Sequence, residues 1–460
     1  MKIINYIILF VFCISLFSCE DKLELFPTDE VDGNKVFETI EGTEKAVLGV
    51  YSQLSIYTQV ELSDLASDDL RLSAQNTGQG VQAHNWTYTS GDGEFSTAMT
   101  VGYHTADRAN RVLQGLSNFD ENDALVKQLK GELYFLRAFA HFDMARIFCN
   151  NYKADDPLGL PYMKESTISN PARLPQSEFY TEVLSDLDLA ATLIPSDYMV
   201  KGRANLTAIN ALKARVALYQ GNWTNAISAA SAAIGGDFVL ANSSQITDVW
   251  KDANDDDVEV IFKLLRTAGG LGSIYNRTTN DDIFFHPSYD LQNQFDDTDV
   301  RAVAYFGKDD DGFDIVVKHI GRPDEAKNTN DYKVFRVSEM YLIRAEAYIS
   351  EGGADNLEKA RADLNEIITK RGGIEITDPF TNATAAMDVL MAERRKELAY
   401  EGHRFYDLRR WNLGVDRIEE DTELASGKNL PAGDYHFVFP IPQSEIFANE
   451  NMDPNPGYTN

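Results

Sequence analysis

An alanine-rich stretch from Thr207 to Ile234 constrains the fold of this chain more than any other segment. Small side chains recur every third residue up to a break at Gly221 and Asn222, and a second alanine-rich run follows the break. This spacing predicts two helices, each with its alanines on one face; the alanines are Ala208, Ala211, Ala214, Ala217, Ala226, Ala229, Ala230 and Ala233. Because small residues let helix backbones approach closely, the stretch predicts an antiparallel helix hairpin.

The junction of these two helices, LYQGNWTNAI, resembles the turn of a tetratricopeptide repeat. A single hairpin of this kind cannot bury its apolar face without neighbouring helices. We therefore expect a mainly helical scaffold that carries other segments. Such scaffolds hold partners or ligands more often than they catalyse reactions.

The N-terminus predicts a lipoprotein signal. Lys2 precedes an apolar run from Ile7 to Phe17, which is too short for a comfortable transmembrane helix. The run ends Leu-Phe-Ser-Cys, which resembles a bacterial lipobox and implies that residues 1–18 are a cleaved signal peptide, that Cys19 carries lipid and that residues 19–28 form a tether. The alternative is an ordinary signal peptide with an incidental cysteine. Cys149 would be the only other cysteine of the mature chain, and we expect it in the core.

The overall charge narrows the class of ligand. The 460 residues carry a formal net charge of −30, spread along the whole chain. Such a surface argues against nucleic-acid binding, which needs a basic face, and against docking on an anionic membrane through a polybasic patch. It fits a neutral ligand, or a partner that presents its own charges.

The pattern of helical and irregular segments predicts one domain over residues 29–460. We expect its helical scaffold at about 36–60, 96–234 and 333–412, with a second repeat-like hairpin at 334–371. Irregular regions are expected at about 61–95, 235–332 and 413–460. A strand is expected at 258–265 (VEVIFKLL), and a further one at 315–320.

Several segments taken together resemble the SusD/RagB family of Bacteroidetes outer-membrane lipoproteins. The similarity covers nearly the whole mature chain in family order, and it is carried by GELYFLRAFAHFDMARIF, the hairpin at Thr207–Ile234, YLIRAEAY at Tyr341–Tyr348, ERRKELAYEGHRFYDLRRW at Glu393–Trp411, FPIPQSEI followed by Asn449, and the terminal NPGY.

The resemblance implies a superhelix of about four tetratricopeptide-like helix pairs with an irregular ligand-binding region built on it. It further implies a lipid anchor on the outer membrane, facing the exterior. The implied partner is a TonB-dependent transporter of the SusC type, and the implied ligand is a nutrient, usually an oligosaccharide. No cofactor is implied.

Candidate ligand contacts lie in two irregular segments. Sugars present flat apolar faces ringed by hydroxyl groups, so a site needs exposed aromatic rings and planar polar groups. The first segment offers Asn76, Trp86 and Tyr88, and the second offers Tyr275, Asn276, Arg277, Phe284 and Tyr289. Three other tryptophans, Trp223, Trp250 and Trp411, lie in apolar patterns and are expected in the core.

Signals of catalysis or of a metal site are weak. With 72 acidic residues, chance carboxylate pairs are expected everywhere, so they do not indicate a glycosidase. The sequence has no Gly-x-Ser-x-Gly elbow and no phosphate loop, and its seven histidines show no ligand spacing. Four interpretations stay open: glycan capture, capture of peptides or other nutrients, a secreted glycoside hydrolase, and a structural adaptor.

Overall fold

The computed structural model describes residues 35–150, 155–276 and 282–458. The expected signal peptide, the tether with Cys19, and Arg277 lie outside these ranges. The described chain is mainly helical, as expected. Its α-helices are α1 (Ile40–Gln53), α2 (Tyr57–Ala66), α3 (Val81–Asn85), α4 (Gly93–Gly115), α5 (Ala124–Phe148), α6 (Gln176–Leu193), α7 (Leu206–Gln220), α8 (Trp223–Ile234), α9 (Ile246–Trp250), α10 (Tyr289–Gln292), α11 (Val300–Tyr305), α12 (Val337–Glu351), α13 (Ala354–Lys370), α14 (Ala383–Glu397), α15 (Arg404–Arg410) and α16 (Gln443–Ala448).

Four helix pairs form the scaffold: α1 with α4, α5 with α6, α7 with α8, and α12 with α13. Each pair packs on the next in chain order, through α4 on α5, α6 on α7, and α8 on α12. Helix α14 packs on the last pair. This arrangement is the expected stack of helix pairs, in which each pair buries the apolar face of its neighbour.

The alanine-rich stretch forms the expected hairpin, α7 and α8. The Asn205 side chain caps α7 by accepting from the Ala208 amide at 2.8 Å. Gly221 ends this helix with a left-handed φ of 65°, and the Asn222 side chain caps α8. Every alanine at the predicted interface positions of α7 is buried, as are Ala226, Ala230 and Ala233 of α8. The hairpin therefore follows from local sequence signals.

The strands are short and pair two by two. They are β1 (Leu70–Leu72), β2 (Val260–Leu264), β3 (Phe285–Pro287), β4 (Phe306–Lys308), β5 (Asp314–Val316), β6 (Tyr332–Arg336), β7 (Val415–Asp416) and β8 (Asn429–Leu430). The antiparallel pairs are β1 with β3, β2 with β6, β4 with β5, and β7 with β8. Both expected strands are present in shorter form, as β2 and β5.

The long irregular region is inserted into the helical stack without separating it. Residues 235–336 lie between α8 and α12 in the chain, yet these two helices pack directly on each other. Strands β2 and β6 pair near the two ends of the insertion. The insertion therefore leaves the stack and returns to it at neighbouring points, while its middle is free to build other contacts.

Helix α2 falls partly in the region expected to be irregular. Its sequence, YTQVELSDLA, is too polar to reveal a buried helix, but its polar side chains have distant partners. Gln59 Nε2 donates to the Gly402 carbonyl at 2.6 Å, and the Gly402 amide donates to Asp64 Oδ1 at 3.1 Å. Because these polar groups are hydrogen-bonded, their burial does not carry the free-energy cost of unsatisfied donors and acceptors. Within the described ranges, no helix is both long and apolar enough to cross a bilayer.

Of the tryptophans expected in the core, Trp250 is buried, but Trp223 and Trp411 are only half-buried. Both lie near helix ends, where part of the ring stays outside the packed interface. Cys149 is buried, and burial raises the pKa of its thiol to about 11. This thiol is therefore a core group rather than a nucleophile.

Candidate functional site

Most side chains expected to contact a ligand are packed in the interior. Trp86 is 6% exposed, its Nε1 donates to the Ala66 carbonyl at 2.9 Å, and the Arg417 guanidinium lies 4.4 Å from the centre of its ring. A ring held in this way has no open face on which a sugar could stack. The expectation that Trp86 is a ligand platform is therefore wrong for this structure.

Four other expected contacts are buried for similar reasons: Tyr88, Tyr275, Asn276 and Phe284. The Tyr88 ring packs on Phe439 with centroids 5.2 Å apart. Tyr275 donates its hydroxyl to Asp64 Oδ2 at 2.6 Å, and Asn276 donates from Nδ2 to the Val316 carbonyl at 3.1 Å. These side chains stabilise the irregular region from within and are not exposed to a ligand in this structure.

Asn76 is a half-buried residue that holds its own loop in place. Its Nδ2 donates to the carbonyls of Gln79 at 2.9 Å and Phe284 at 3.2 Å, and its Oδ1 accepts from the Gly78 amide at 2.7 Å. The amide is thus occupied by the backbone. Asn76 ties the loop after β1 to the segment before β3, and its role here is positional.

Tyr289 is the exception among the described candidates, because 39% of its surface is exposed. It is the first residue of α10, where the Ser288 hydroxyl caps the helix. The Tyr289 amide donates to Asp421 Oδ1 at 2.8 Å. The Arg71 guanidinium lies 4.2 Å from the ring centre and covers one ring face. These contacts hold the ring in one place while leaving part of it open.

A second exposed ring, Phe313, belongs to the same part of the fold. It is 49% exposed and lies in the turn between β4 and β5. The Asp309 carboxylate fixes this turn by accepting from the Phe313 amide at 2.7 Å. The ring centroids of Phe313 and His286 are 5.9 Å apart. The turn therefore presents an aromatic side chain on a constrained backbone.

Strand pairing connects the two exposed rings. Arg71 of β1 and His286 of β3 are cross-strand partners, so they project from the same side of the strand pair. His286 Nδ1 lies 2.6 Å from the Asp314 carbonyl, which joins β3 to β5. We call the surface formed by Arg71, Tyr289, Phe313 and Asp314, together with the buried His286 that contacts Phe313, the aromatic face.

The charges of the aromatic face largely cancel. Asp314 lies 3.8 Å from the Arg71 guanidinium and 2.6 Å from Lys308 Nζ. Burial and the nearby Arg71 lower the pKa of His286, which keeps this imidazole neutral at neutral pH. Arg71 Nε is buried and has no hydrogen-bond partner among the residues that the structure describes. The face therefore combines apolar rings with one positive and one negative side chain, Arg71 and Asp314, while Asp309, Asp310 and Asp311 lie beside it in the turn that carries Phe313.

This arrangement suits a flat, uncharged ligand. Two partly exposed rings can stack on apolar ring faces, and an Arg and an Asp can bond hydroxyl groups at the edges. Within residues 35–150, 155–276 and 282–458, no cluster of three or more His, Cys, Asp or Glu side chains is arranged to hold a metal ion.

Asp64 has a raised pKa but is not placed to act as a catalytic acid. Burial raises the pKa of Asp64 to about 8, a direction typical of catalytic acids. However, Asp64 is 1% exposed, and both of its oxygens accept hydrogen bonds, from Tyr275 and the Gly402 amide. A substrate cannot reach it, so its raised pKa reflects structural burial.

Sequence reasoning missed Arg71, His286, Phe313 and Asp314. Phe313 follows the glycine of the turn DDDGFD, and it was not predicted from the sequence as an exposed residue. An aromatic side chain in an Asp- and Gly-rich turn was the available signal, because such turns lie at the surface. For Arg71 and His286 no local signal existed, since their pairing joins segments more than 200 residues apart.

Comparisons with known proteins agree with this fold. A SusD family model matches residues 315–458, and a second model, described as starch-binding and associating with the outer membrane, matches residues 28–218. SusD-like protein P2 of Formosa agariphila is 24% identical and aligns with 97% of this chain and 98% of its own. The starch-binding protein SusD of Bacteroides thetaiotaomicron is 30% identical over 31% of this chain and 23% of its own.

Solved structures resemble the whole described fold. A proposed sugar-binding protein of Bacteroides vulgatus is 27% identical, with a TM-score of 0.80 over 92% of this chain and 99% of its own. A SusD superfamily protein of Bacteroides thetaiotaomicron is 25% identical, with a TM-score of 0.79 over 91% and 100%. The two family models match most of the chain between them, in the order that the helix pairs follow, and the chain therefore belongs to the SusD/RagB family.

Proposed function

We propose that this protein is a lipid-anchored lipoprotein of the outer-membrane surface that captures neutral oligosaccharides. It would pass them to a partner TonB-dependent transporter of the SusC type. The observation that carries the ligand class is the aromatic face, where the exposed rings of Tyr289 and Phe313 flank polar groups whose charges nearly cancel. Family membership supports the same class, because its relatives include a starch-binding protein and a proposed sugar-binding protein.

Two other functions compete with this one. Capture of peptides or other nutrients would use the same architecture, but a peptide brings backbone amides and charged side chains that the aromatic face is not built to pair. A secreted glycoside hydrolase would need an accessible pair of carboxylates with separated pKa values. On the aromatic face Asp314 is already paired with Lys308 and Arg71, which argues against it as a catalytic acid.

Binding is tested with the mature protein in affinity gels containing soluble starch, laminarin, xylan or galactomannan, followed by calorimetry. We expect one or more of these polysaccharides to retard the wild type. Tyr289→Ala and Phe313→Ala should each weaken binding about tenfold, because an aromatic stacking contact contributes up to roughly 1.4 kcal/mol. Phe447→Ala is the matched control, since Phe447 is 74% exposed but lies on α16, outside the aromatic face.

Wild-type affinity in both Tyr289→Ala and Phe313→Ala would show that the aromatic face is not the site. Release of reducing sugar from the retarding polysaccharide would favour the hydrolase instead. The anchor and the partner need separate tests. Cys19→Ala should abolish incorporation of labelled palmitate, and a transporter should co-purify with the wild type from detergent-solubilised membranes.

A further inference from the structure

A cleft on the helical scaffold shares no residue with the aromatic face. Its volume is about 810 Å³, within the range of small-molecule sites. The lining comes from the turn between α7 and α8, from α12 and α15, and from the tail after β8. We call it the scaffold cleft. Neither the aromatic face nor the packing of the helix pairs accounts for it.

Five aromatic side chains line the scaffold cleft, and three of them are partly exposed: Trp223, Trp411 and Tyr435. The other two, Tyr219 and Phe437, are buried. Trp223 and Trp411 are half-buried, and Tyr435 is 42% exposed. A tryptophan in a helical core is normally covered on both faces, but these two rings keep part of their surface in a concave site. The chain has four tryptophans, and the other two, Trp86 and Trp250, are buried.

Each of the three rings is held by neighbouring groups. The Trp223 ring folds back over the α7–α8 turn, about 3.5 Å from the position that a Cβ on Gly221 would occupy. Trp411 Nε1 donates to Glu346 Oε1 at 2.9 Å. The Tyr435 ring meets Tyr458 edge-on with centroids 5.0 Å apart. Rings fixed before binding lose little conformational entropy when a ligand stacks on them.

The charged side chains lining the scaffold cleft balance in number, with two acids, Glu346 and Asp434, and two arginines, Arg409 and Arg410. The Glu346 carboxylate accepts from Arg410, at 2.6 Å from Nη2, as well as from Trp411. The Arg410 Nε also donates to Asp407 at 2.8 Å. The uncharged amides of Gln220 and Asn412 also line the cleft. Such a lining favours a neutral ligand with hydroxyl groups over an anion or a cation.

We propose that the scaffold cleft is a second binding site for neutral oligosaccharides, formed by Trp223, Trp411 and Tyr435. The choice of ligand class rests on the proposed function, whereas the site itself is independent of the aromatic face. A chain with two such sites would hold a long glycan at two points, or two glycans at once. Two linked contacts raise the apparent affinity for a polymer above that for a short fragment.

Tryptophan fluorescence reports on this cleft selectively, because the aromatic face contains no tryptophan and the remaining tryptophans are buried. The probes are maltoheptaose, laminariheptaose, xylohexaose and mannohexaose, the neutral fragments of the four polysaccharides. We expect at least one to shift the emission saturably and to protect it from acrylamide quenching. Trp223→Phe and Trp411→Phe should each remove part of the protected signal.

Variants distinguish binding in the scaffold cleft from binding on the aromatic face. The double variant Tyr289→Ala/Phe313→Ala should keep the fluorescence response, whereas Tyr435→Ala should lower the apparent affinity in this assay about tenfold. Phe447→Ala should respond as the wild type does. A fluorescence response without retardation in polysaccharide gels would exclude the aromatic face as a binding site and would still support the scaffold cleft.

Three outcomes would overturn the proposal. The first is retardation in gels with no fluorescence change for any of the four fragments, which would leave the proposed function intact. The second is a response that disappears in Tyr289→Ala/Phe313→Ala and is unchanged in Tyr435→Ala. The third is protection of Trp223 and Trp411 by a co-purified transporter but not by glycans, which would make the cleft a protein interface.

Discussion

Asp64 illustrates how a single residue in this fold acquires its properties from distant parts of the chain. Its carboxyl group is shielded from solvent and accepts hydrogen bonds from the Tyr275 hydroxyl and the Gly402 amide. Burial raises its pKa from 3.8 to about 8. The Tyr275 hydroxyl and the Asp64 carboxyl are buried together, and the hydrogen bond between them by itself lowers the pKa of Asp64, so burial is the cause of the raised pKa. The same burial removes Tyr275 as an exposed ligand contact.

Asp64 should make stability depend on pH. Because its pKa is higher in the folded state, the group's contribution to the free energy of unfolding is full below about pH 3.8. The contribution declines as pH rises and is gone above about pH 8. Asp64→Asn removes the titration, so the difference in stability between variant and wild type should change steadily between these limits. Urea unfolding at several pH values measures this difference in the free energy of unfolding.

Asp120→Asn is the control for this experiment, because Asp120 is exposed. Its free energy of unfolding should follow the wild-type pH dependence. If Asp64→Asn also keeps the wild-type slope between pH 4 and 8, then Asp64 is ionised in the folded state and its neighbours must compensate for the buried charge.

The α7–α8 hairpin shows how small side chains determine the position of a helix. Ala226, Ala230 and Ala233 of α8 have no exposed surface. Helix α8 packs on α7 and also on α12, so it is enclosed from two sides. Alanine at these positions sets the distance between helix axes, and this distance decides whether the third and fourth helix pairs can stack.

A larger side chain inside this interface should push the helices apart. We expect Ala230→Leu to lower the free energy of unfolding by about 1–3 kcal/mol through overpacking. Ala232→Leu places the same side chain on the exposed side of α8 and should change stability little. Urea denaturation with circular dichroism compares the two. Equal stability of both variants would mean that the interface has room to relax.

At the scale of the whole molecule, a buried ionic cluster joins the insertion to the helical stack. Glu397 on α14 accepts from Arg336 at 2.9 Å, from Arg371 at 2.9 Å and from Arg301 at 3.0 Å. Arg301 belongs to the insertion, whereas Arg371 follows α13. The three arginines hold the pKa of Glu397 well below its ordinary value. Because a buried charge needs its partners, the cluster fixes the relative position of these segments.

Glu397→Gln should be strongly destabilising, since it leaves three buried guanidinium groups without their shared anion. We expect a loss of about 3–5 kcal/mol in the free energy of unfolding. The lowered pKa means that the wild-type contribution is present at neutral pH and is lost as pH falls below 4.5. Glu366→Gln, in a half-exposed pair with Lys370, is the matched control and should have little effect.

If Glu397→Gln lowers the free energy of unfolding no more than Glu366→Gln does, then solvent or neighbouring acids replace the Glu397 carboxylate. Glu259 and Glu393 are the candidates for replacement, because each also pairs with an arginine of this cluster. The free energies of unfolding of the double variant Glu259→Gln/Glu397→Gln and of the two single variants together give the interaction energy between Glu259 and Glu397.

The helical scaffold and the family could be read from the sequence because their signals are local. Alanine spacing, asparagine caps and Gly221 act within one or two helical turns, so a short window contains the whole argument. The resemblance to the SusD/RagB family adds motifs that are mostly helical. The polar helix α2 escaped this reasoning, because its partners near Gly402 are more than 300 residues away.

The tertiary structure alone decided which aromatic residues are exposed. Trp86 and Tyr88 are covered by Arg417 and Phe439, whereas Tyr289 keeps an open edge and Phe313 stands at a turn. Trp223 and Trp411 are expected in the core from the sequence, but they line a cleft. The physical reason is that helix periodicity is a property of neighbouring residues, whereas the exposure of a ring depends on which distant segments pack against it.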